Sequence, residues 1–181
     1  MSSDVDGESG EKPHKCPEKR KVMFKFEDIR KDYLILTMVK IMGELLYKQF
    51  PELRECLTIY KVVPTGSEDG FIEFVNAHTI YHANMSAGSE ITTIQNFLLR
   101  HPDNLNTSFH DVRRRYVLTM AFWSVATLLL GVGDRHANNI MIKPNGCIFH
   151  IDYGFILGND PKVLSTLLPF AMSSFINILQ V

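Results

Sequence analysis

Two short polar stretches in the second half of the chain hold residues that could act together on a phosphate group. The first is the run GDRHANN at positions 133–139, and the second is the run DYG, which begins 13 positions after Asn139. Transfer of a phosphoryl group needs a residue that orients or deprotonates the attacking hydroxyl, oxygen ligands for Mg²⁺, and cations near the phosphate. The two stretches supply all three kinds of group, in Asp134, Arg135, His136, Asn139 and Asp152.

The segment between the two stretches predicts how they meet. Two short apolar runs, Ile140–Ile142 and Cys147–Ile151, flank the turn sequence Pro144-Asn145-Gly146, a pattern typical of a β-hairpin. Such a hairpin folds the Asn139 side chain back toward the Asp152 carboxylate. Both groups could then hold metal ions from adjacent strand ends.

The pair of stretches resembles the catalytic loop and the metal-binding motif of the phosphoinositide 3-/4-kinase superfamily. That family's pattern, D-R-H-x-x-N followed by I-D-F-G, is matched here by D-R-H-A-N-N and I-D-Y-G. Ordinary protein kinases place His and Arg before the Asp of the loop, so the order here differs from theirs. The resemblance implies ATP as donor and Mg²⁺ or Mn²⁺ as metal. It also implies roles: metal ligands at Asn139 and Asp152, hydroxyl-activating groups at Asp134 and His136, and a structural or charge-balancing partner at Arg135.

The resemblance continues toward the N-terminus. The strand-like run VMFK at positions 22–25 and the following EDIRKD look like the family's lysine strand and its D-D-L-R-Q-D helix start, although Phe26 alone separates Lys25 from the acidic pair. By this resemblance Lys25 contacts the ATP phosphates and Asp32 and Tyr60 line the inner nucleotide pocket. The run IEFV at positions 72–75 matches the hinge that receives adenine, which implies binding through Glu73 and Val75.

Three further runs are most similar to the class III branch, which acts on plain phosphatidylinositol: YKVV from position 60, IQNF from position 94 and FILGNDPK from position 155. Branches that use phosphorylated lipids carry several basic residues in the following loop, because each added phosphate favours a charge-assisted partner. Positions 163–181 contain no Lys or Arg, and only Lys162 precedes them. We therefore expect transfer of the γ-phosphate of ATP to the 3-hydroxyl of phosphatidylinositol in a membrane.

The elements that must position these residues predict an α+β fold. We expect a strand at 22–26, a helix at about 27–49, a hairpin from 57–63 and 71–75, and helices at 89–100 and from Ser108 or Asp111 to about Leu130. The resemblance implies a two-lobed, protein-kinase-like arrangement. Residues 21–76 would form part of a small β-rich N-lobe, residues 77–181 part of a mostly helical, incomplete C-lobe, and residues 1–20 a disordered tail.

Two departures from the family pattern leave other functions open. No Ser- and Gly-bearing phosphate loop precedes Lys25, and the sequence stops at Val181, where the family continues through further helices. A catalytically dead binding module with the same fold is therefore one alternative. A phosphatidylinositol 4-kinase and a protein kinase of the related branch are the others.

Composition limits the partners. The 19 basic and 20 acidic residues give a net charge of −1, which argues against nucleic acid as a partner. The first 20 residues contain no apolar core of a signal peptide, and the apolar run Tyr116–Val132 favours a buried helix over a membrane span. We expect a cytoplasmic protein, and the family resemblance implies that it is peripheral on endosome-like intracellular membranes, with a regulatory protein subunit.

Other reactive side chains have no evident site. Cys16, Cys56 and Cys147 are far apart in the sequence, and so predict neither a disulfide framework nor a zinc site. Four histidines fall in predicted loops without metal-ligand spacing and are expected on the surface. They are His78, His82, His101 and His110. His150, next to the DYG stretch, is expected to support it through a hydrogen bond.

Overall fold

A computed structural model of the chain describes residues 20–86, 93–104 and 106–159. The predicted tail at 1–20 lies outside this part except for its last residue. The apolar segment that follows Lys162 and the Ser89 start of the predicted 89–100 helix also lie outside it. Within the described residues the molecule is a mixture of helices and two small antiparallel sheets.

The first sheet contains the predicted lysine strand and the first predicted hairpin. Its strands are β1 (Val22–Lys25), β2 (Val62–Pro64) and β3 (Gly70–Glu73), in the order β1-β3-β2. Both neighbours run antiparallel to β3, and the register pairs Lys25 and Pro64 with Gly70. A side chain at position 70 would collide with the Val63 carbonyl oxygen and the Ile29 side chain, so only glycine fits at this point. Strands β2 and β3 can therefore approach each other closely at Gly70.

One long helix packs beside this sheet. Helix α1 (Arg30–Leu46) is followed by the single turn α2 (Leu53–Cys56). The buried positions of α1 recur with helical spacing and face the core; they are Asp32, Ile35, Leu36, Val39 and Gly43. The helix begins at Arg30, three residues later than the pattern predicts, because the Asp28 carboxylate accepts a hydrogen bond from the Arg30 backbone N–H and stops the chain from continuing as helix toward β1.

The second sheet carries the second predicted hairpin. Its order is β4 (His78–Thr79), β5 (Ile140–Ile142) and β6 (Ile148–His150), all antiparallel. Helices of very different length surround it: α3 (Ile80–Ser86), α4 (Thr93–Arg100), a 3₁₀ turn (Pro102–Asn104) and α5 (Phe109–Leu129). Helix α5 contains most of the apolar run that the sequence predicts to be a buried helix.

The packing of α5 explains that run. Trp123 and Ala126 are fully buried, and Tyr116 is 1% exposed, against the same core that contains β5 and β6. The Thr119 hydroxyl accepts a hydrogen bond from the Ile148 backbone N–H, which joins the helix to the hairpin. No helix among the described residues is long and apolar enough to cross a membrane.

Two of the three cysteines are neighbours in the fold. Although Cys56 and Cys147 are far apart in the sequence, their buried thiols lie beside each other, and both are free. Burial and the neighbouring Cys56 raise the pKa of the Cys147 thiol to about 12. Nothing in the sequence indicated this proximity, which arises because α2 packs against α5 and α5 packs against β6.

Candidate active site

The second hairpin brings the two polar stretches together as predicted. Ile140 on β5 pairs with His150 on β6, and the Ile151 backbone N–H donates to the Asn139 carbonyl at 3.1 Å. Asn139, just before β5, and Asp152, shortly after β6, therefore lie at the same end of the hairpin. The Asn139 side chain is buried, whereas Asp152 is exposed.

The loop from Asp134 to Asn139 is folded around the backbone of Asp134. This residue has φ of 55°, a left-handed conformation that Asp adopts more readily than most residues. Its carbonyl accepts hydrogen bonds from the His136 backbone N–H at 3.2 Å and from Asn139 Nδ2 at 3.0 Å. The Asn139 amide nitrogen is thus occupied, and its oxygen is the atom left to act as a ligand.

His136 lies with one ring nitrogen toward Asp134. Its Nε2 is 3.7 Å from Asp134 Oδ2, and its Nδ1 accepts a hydrogen bond from the Asn138 backbone N–H at 3.3 Å. Because Nδ1 accepts, a neutral imidazole carries its proton on Nε2. The proton of the ring therefore faces the Asp134 carboxylate.

Arg135 acts as a brace between the two stretches. Its guanidinium donates to the Gly133 carbonyl at 2.8 Å, to the Ile151 carbonyl at 2.8 Å and to the Asp152 carbonyl. It also lies 5.5 Å from the centre of the Tyr153 ring. The side chain is half-buried, and burial lowers the pKa of Arg135, whereas Tyr153 and the nearby carboxylates oppose this shift. The contacts of the guanidinium are with backbone and ring.

The DYG stretch is folded tightly at the surface. Asp152 has φ of 60°, and its Oδ1 accepts a hydrogen bond from the Gly154 backbone N–H at 3.3 Å. Farther along, the Gly158 backbone N–H donates to the Gly131 carbonyl at 2.9 Å, so the segment after Asp152 is bound to the residues just before the GDRHANN stretch. Gly131 has φ of 55°, and a side chain there would come within 2.6 Å of the Gly158 nitrogen.

His150 supports this stretch through packing, which differs from the hydrogen-bonding role expected from the sequence. Its ring stacks on Trp123 at 5.1 Å with an angle of 8°, and its buried Nδ1 has no hydrogen-bond partner among the described residues. Burial lowers the pKa of His150 to about 3, with a smaller contribution from Arg135. The imidazole is therefore neutral, and its backbone carbonyl accepts a bond from the Tyr153 hydroxyl at 2.9 Å.

The residues predicted to bind the nucleotide lie on the other side of this cluster. Lys25 forms an ion pair with Glu27, two positions away. Asp32 is 8% exposed, and burial raises its pKa to about 6; Lys25 opposes this shift, while Asp152 adds to it. Tyr60 is buried, and its ring packs edge-to-face on Phe149 at 5.9 Å.

The predicted hinge shows one unoccupied donor. The Glu73 carboxylate accepts a bond from the Lys61 backbone N–H at 2.9 Å, and the Glu73 backbone N–H donates to the Lys61 carbonyl at 2.8 Å. By contrast, the Val75 backbone N–H has no hydrogen-bond partner among the residues that the structure describes. It can serve a ligand that presents an acceptor.

The structure also brings together residues that the sequence did not mark. Lys31 donates from Nζ to the Gly154 carbonyl at 2.9 Å, a contact between the start of α1 and the DYG stretch. The rings of His78 and His82 stack at 5.1 Å, and His101 lies 6.5 Å from His78. These three histidines therefore form a cluster, in which His82 is exposed, as expected, and His78 and His101 are half-buried. Their spacing gave no signal because they belong to three different segments.

The oxygen atoms of Asn139 and Asp152 fit a magnesium ion that takes further ligands from a phosphate. Asn139 and Asp152 offer amide and carboxylate oxygens at one hairpin end, the ligand type that Mg²⁺ prefers. Within the described ranges, no group of three or more His, Cys, Asp or Glu side chains could hold a metal by itself. An ion at this site would need the phosphates of a bound nucleotide, as Mg²⁺ commonly does.

Comparisons with known proteins agree with this geometry. The family model described as phosphatidylinositol 3- and 4-kinase matches residues 19–179. The nodule isoform of phosphatidylinositol 3-kinase from Glycine max is 37% identical over 145 residues, covering 78% of this chain and 17% of that protein. Phosphatidylinositol 3-kinase VPS34 from Saccharomyces cerevisiae is 39% identical over 145 residues, covering 78% of this chain and 16% of that protein. The chain thus spans about one sixth of the length of these relatives.

Proposed function

The chain belongs to the phosphatidylinositol 3- and 4-kinase family, and from this premise we propose that it transfers the γ-phosphate of ATP to the 3-hydroxyl of phosphatidylinositol. The observation that carries the proposal is one end of the second hairpin. There Asn139 precedes β5, Asp152 follows β6, and the Asp134–His136 pair lies beside them. The names of relatives that are 37–39% identical, all phosphatidylinositol 3-kinases, support the choice of reaction.

We assign the attacking hydroxyl to Asp134 and His136. In the neutral state the imidazole proton lies on the nitrogen that faces the Asp134 carboxylate. The Asp134 carboxylate is therefore the group available to accept a hydrogen bond from an inositol hydroxyl. The His136 imidazole orients this carboxylate. In-line transfer depends chiefly on such positioning and on charge stabilisation, because little covalent chemistry is required of the protein.

We assign Asn139 and Asp152 to the metal, Mg²⁺ or Mn²⁺. A bound ion would neutralise charge that develops on the transferring phosphate. The contribution of this chain is to hold two oxygen ligands in place. The Asn139 side chain is held by its hydrogen bond to the Asp134 carbonyl, and the Asp152 side chain is placed by its left-handed backbone. Arg135 supports Asp152 through its carbonyl group and through that of Ile151, whose N–H donates to the Asn139 carbonyl.

We assign the nucleotide to the face that includes the first sheet. Lys25 would exchange its Glu27 partner for an ATP phosphate, and Asp32 and Tyr60 would line the inner pocket beside it. The free Val75 N–H would donate to the adenine ring, next to the Glu73 backbone. In this arrangement the two sheets belong to two lobes, with the nucleotide between them.

The acceptor assignment rests on charge. Positions 163–181 contain no Lys or Arg, so this stretch offers no cation to a lipid headgroup that carries extra phosphates. Phosphatidylinositol itself suits such a segment best. Action at an endosome-like membrane face, together with a regulatory protein subunit, is part of the same proposal.

The test is a lipid kinase assay with a matched pair of variants. Purified chain, labelled ATP, Mg²⁺ and phosphatidylinositol vesicles should yield labelled phosphatidylinositol 3-phosphate. Asp152→Asn should lower the rate at least about 100-fold, because it removes the charged ligand while asparagine still tolerates φ of 60°. Asp111→Asn, on the exposed side of α5, should leave the rate unchanged.

Other outcomes would assign the chain to the alternatives. A labelled 4-phosphate would mean a 4-kinase, and label on protein but not on lipid would mean a protein kinase. A folded chain that binds ATP and transfers no label to either acceptor would mean a binding module without turnover.

A further inference from the structure

The Lys31 side chain makes a contact that the proposed reaction does not yet use. Lys31 lies in the first turn of α1, next to the buried Asp32, and its Nζ donates to the Gly154 carbonyl at 2.9 Å. Among the described residues, no other side-chain hydrogen bond joins α1 to the segment 151–159. The bond spans 123 positions of sequence and links the two halves of the candidate site.

Gly154 is bonded on both of its backbone groups. Its N–H donates to Asp152 Oδ1 at 3.3 Å, and its carbonyl accepts from Lys31. Lys31 is therefore connected to the Asp152 carboxylate through a single residue. Any change in the position of the Gly154 peptide moves the group that orients this carboxylate.

Lys31 completes a set of cations that hold the backbone of this segment. Arg135 takes the carbonyls of Ile151 and Asp152 from the side of the catalytic loop. Lys31 binds the carbonyl of Gly154, two residues after Asp152, from the side of α1. The two cations come from different elements, so the segment is fixed relative to both.

The hydrogen bond from Lys31 to the Gly154 carbonyl, here called the tether, also opposes the repulsion between two carboxylates. Asp152 and Asp32 are close enough to interact electrostatically, and the two negative charges disfavour each other. A hydrogen bond from an ammonium group to a neutral carbonyl is stronger than one between neutral partners. Lys31 thus holds α1 against the DYG stretch at a place where the carboxylates alone would push them apart.

We propose that Lys31 is a positioning residue that sets Asp152 for metal binding by holding the Gly154 carbonyl. The role of Asp152 as a metal ligand rests on the proposed function, whereas the tether itself does not. In the D-D-L-R-Q-D pattern that this stretch resembles, the corresponding place holds glutamine, whose side chain is shorter. The lysine is therefore a feature of this chain, and its length matters because the donor must cross to the other side of the site.

The test compares Lys31→Met, Lys31→Arg and Lys40→Met. Methionine keeps most of the length of lysine but cannot donate, arginine keeps a long donor, and Lys40 is an exposed lysine elsewhere on α1. Two quantities are measured: amide hydrogen exchange of residues 152–158 in the metal-free chain, and the Mg²⁺ concentration that gives half-maximal binding of ADP. Neither measurement requires turnover.

In Lys31→Met, amide exchange at Gly154 and its neighbours should become about tenfold faster, and the half-maximal Mg²⁺ concentration should rise about threefold to tenfold. Lys31→Arg should restore both values, and Lys40→Met should change neither. In the lipid assay, kcat of Lys31→Met at limiting Mg²⁺ should fall, while KM for ATP at saturating Mg²⁺ should stay within about twofold.

If Lys31→Met and Lys40→Met behave alike in exchange and in Mg²⁺ dependence, the tether does not position Asp152 and the proposal is wrong. Failure of arginine to rescue would overturn it as well, because it would show that packing and not donation matters. A chain that transfers no phosphate but shows the expected exchange and Mg²⁺ effects would refute the lipid kinase assignment and leave the role of Lys31 intact.

Discussion

The two halves of the candidate site are held in very different ways. Around Asp152, backbone hydrogen bonds link the segment 155–158 to the segment 130–133, and the Arg135 side chain donates to three carbonyls. Around Lys25, the strand β1 is largely exposed, and the lysine contacts a carboxylate only two positions away. The Asp152 segment is therefore held by several hydrogen bonds from residues distant in sequence, whereas the Lys25 side chain is held by a local ion pair.

This difference indicates which part of the site is preorganised. Side chains fixed by buried hydrogen bonds lose little freedom when a ligand arrives, whereas an exposed ion pair is weak and easily exchanged. Under the proposed function, we therefore expect the half around Asp152 to be formed before the nucleotide binds. We expect the half around Lys25 to be completed by the nucleotide itself, when Lys25 exchanges Glu27 for a phosphate.

The comparison predicts its largest effect at Arg135. Replacing this residue by methionine leaves the carbonyls of Gly133, Ile151 and Asp152 without their donor, and unsatisfied buried groups cost about 1–3 kcal/mol each before relaxation. We expect the free energy of unfolding in urea to fall by about 2–4 kcal/mol, with loss of any kinase activity. Arg114→Met is the control, since this exposed arginine pairs with Glu52 alone among the described residues and its loss should cost less than about 1 kcal/mol. Equal losses in the two variants would contradict the role of Arg135 as a brace.

The second largest effect on stability is expected at Asp32, which interacts electrostatically with both Lys25 and Asp152. Its pKa is raised to about 6 in the folded protein, above the ordinary value of about 3.9. The folded state therefore holds a proton that the unfolded state releases, and stability falls as pH rises from about 4 to about 6 and is then level. Two pKa units correspond to a penalty on the order of 3 kcal/mol at neutral pH, as an upper bound.

Asp32→Asn removes this penalty while keeping the shape of the side chain. We expect the variant to gain about 1–3 kcal/mol of unfolding free energy at pH 7.5 and nothing at pH 4, measured in urea at both pH values. Asp111→Asn, which changes an exposed carboxylate, should show no such pH dependence. A variant that is no more stable than the parent at pH 7.5 would mean that Asp32 is not buried as a charge.

The smallest effect is expected at Glu27. Glu27→Gln releases Lys25 from an exposed ion pair, and such pairs contribute between about 0 and 1 kcal/mol. The free energy of unfolding should change by less than about 0.5 kcal/mol, while KM for ATP should fall up to about threefold, because Lys25 no longer has to leave a partner. A clear loss of stability would show that the Lys25 half is as firmly built as the Asp152 half.

The sequence predicted much of the fold that surrounds the site. Alternating and apolar runs predicted the lysine strand, both hairpins and the long helices, and the structure confirms that these elements exist. Their bounds differ: of the predicted strand 57–63 only the part from Val62 is a strand, and α1 covers Arg30–Leu46. The short elements α2, β4 and α3 were not predicted, since no periodic pattern develops over so few residues.

The roles of the site residues stay predictions, but the placement of several follows from sequence alone. Asn139 and Asp152 flank a hairpin whose turn residues are local, so their meeting needed no long-range information. The stacking of His150 on Trp123 could not be predicted in this way, because it joins β6 to a helix far away in the sequence. Hydrogen-bonding expectations based on residue type fail where the neighbour is supplied by another element.

The sequence by itself determined which chemical groups are present, in what order, and which of them a single hairpin brings together. Tertiary structure alone decided that Asp32 is buried near Asp152, that the thiols of Cys56 and Cys147 are neighbours, and that Lys31 reaches Gly154. The physical reason is the range of the forces involved. Turn and strand preferences act within a few residues, whereas burial, charge proximity and side-chain donors depend on which elements pack together.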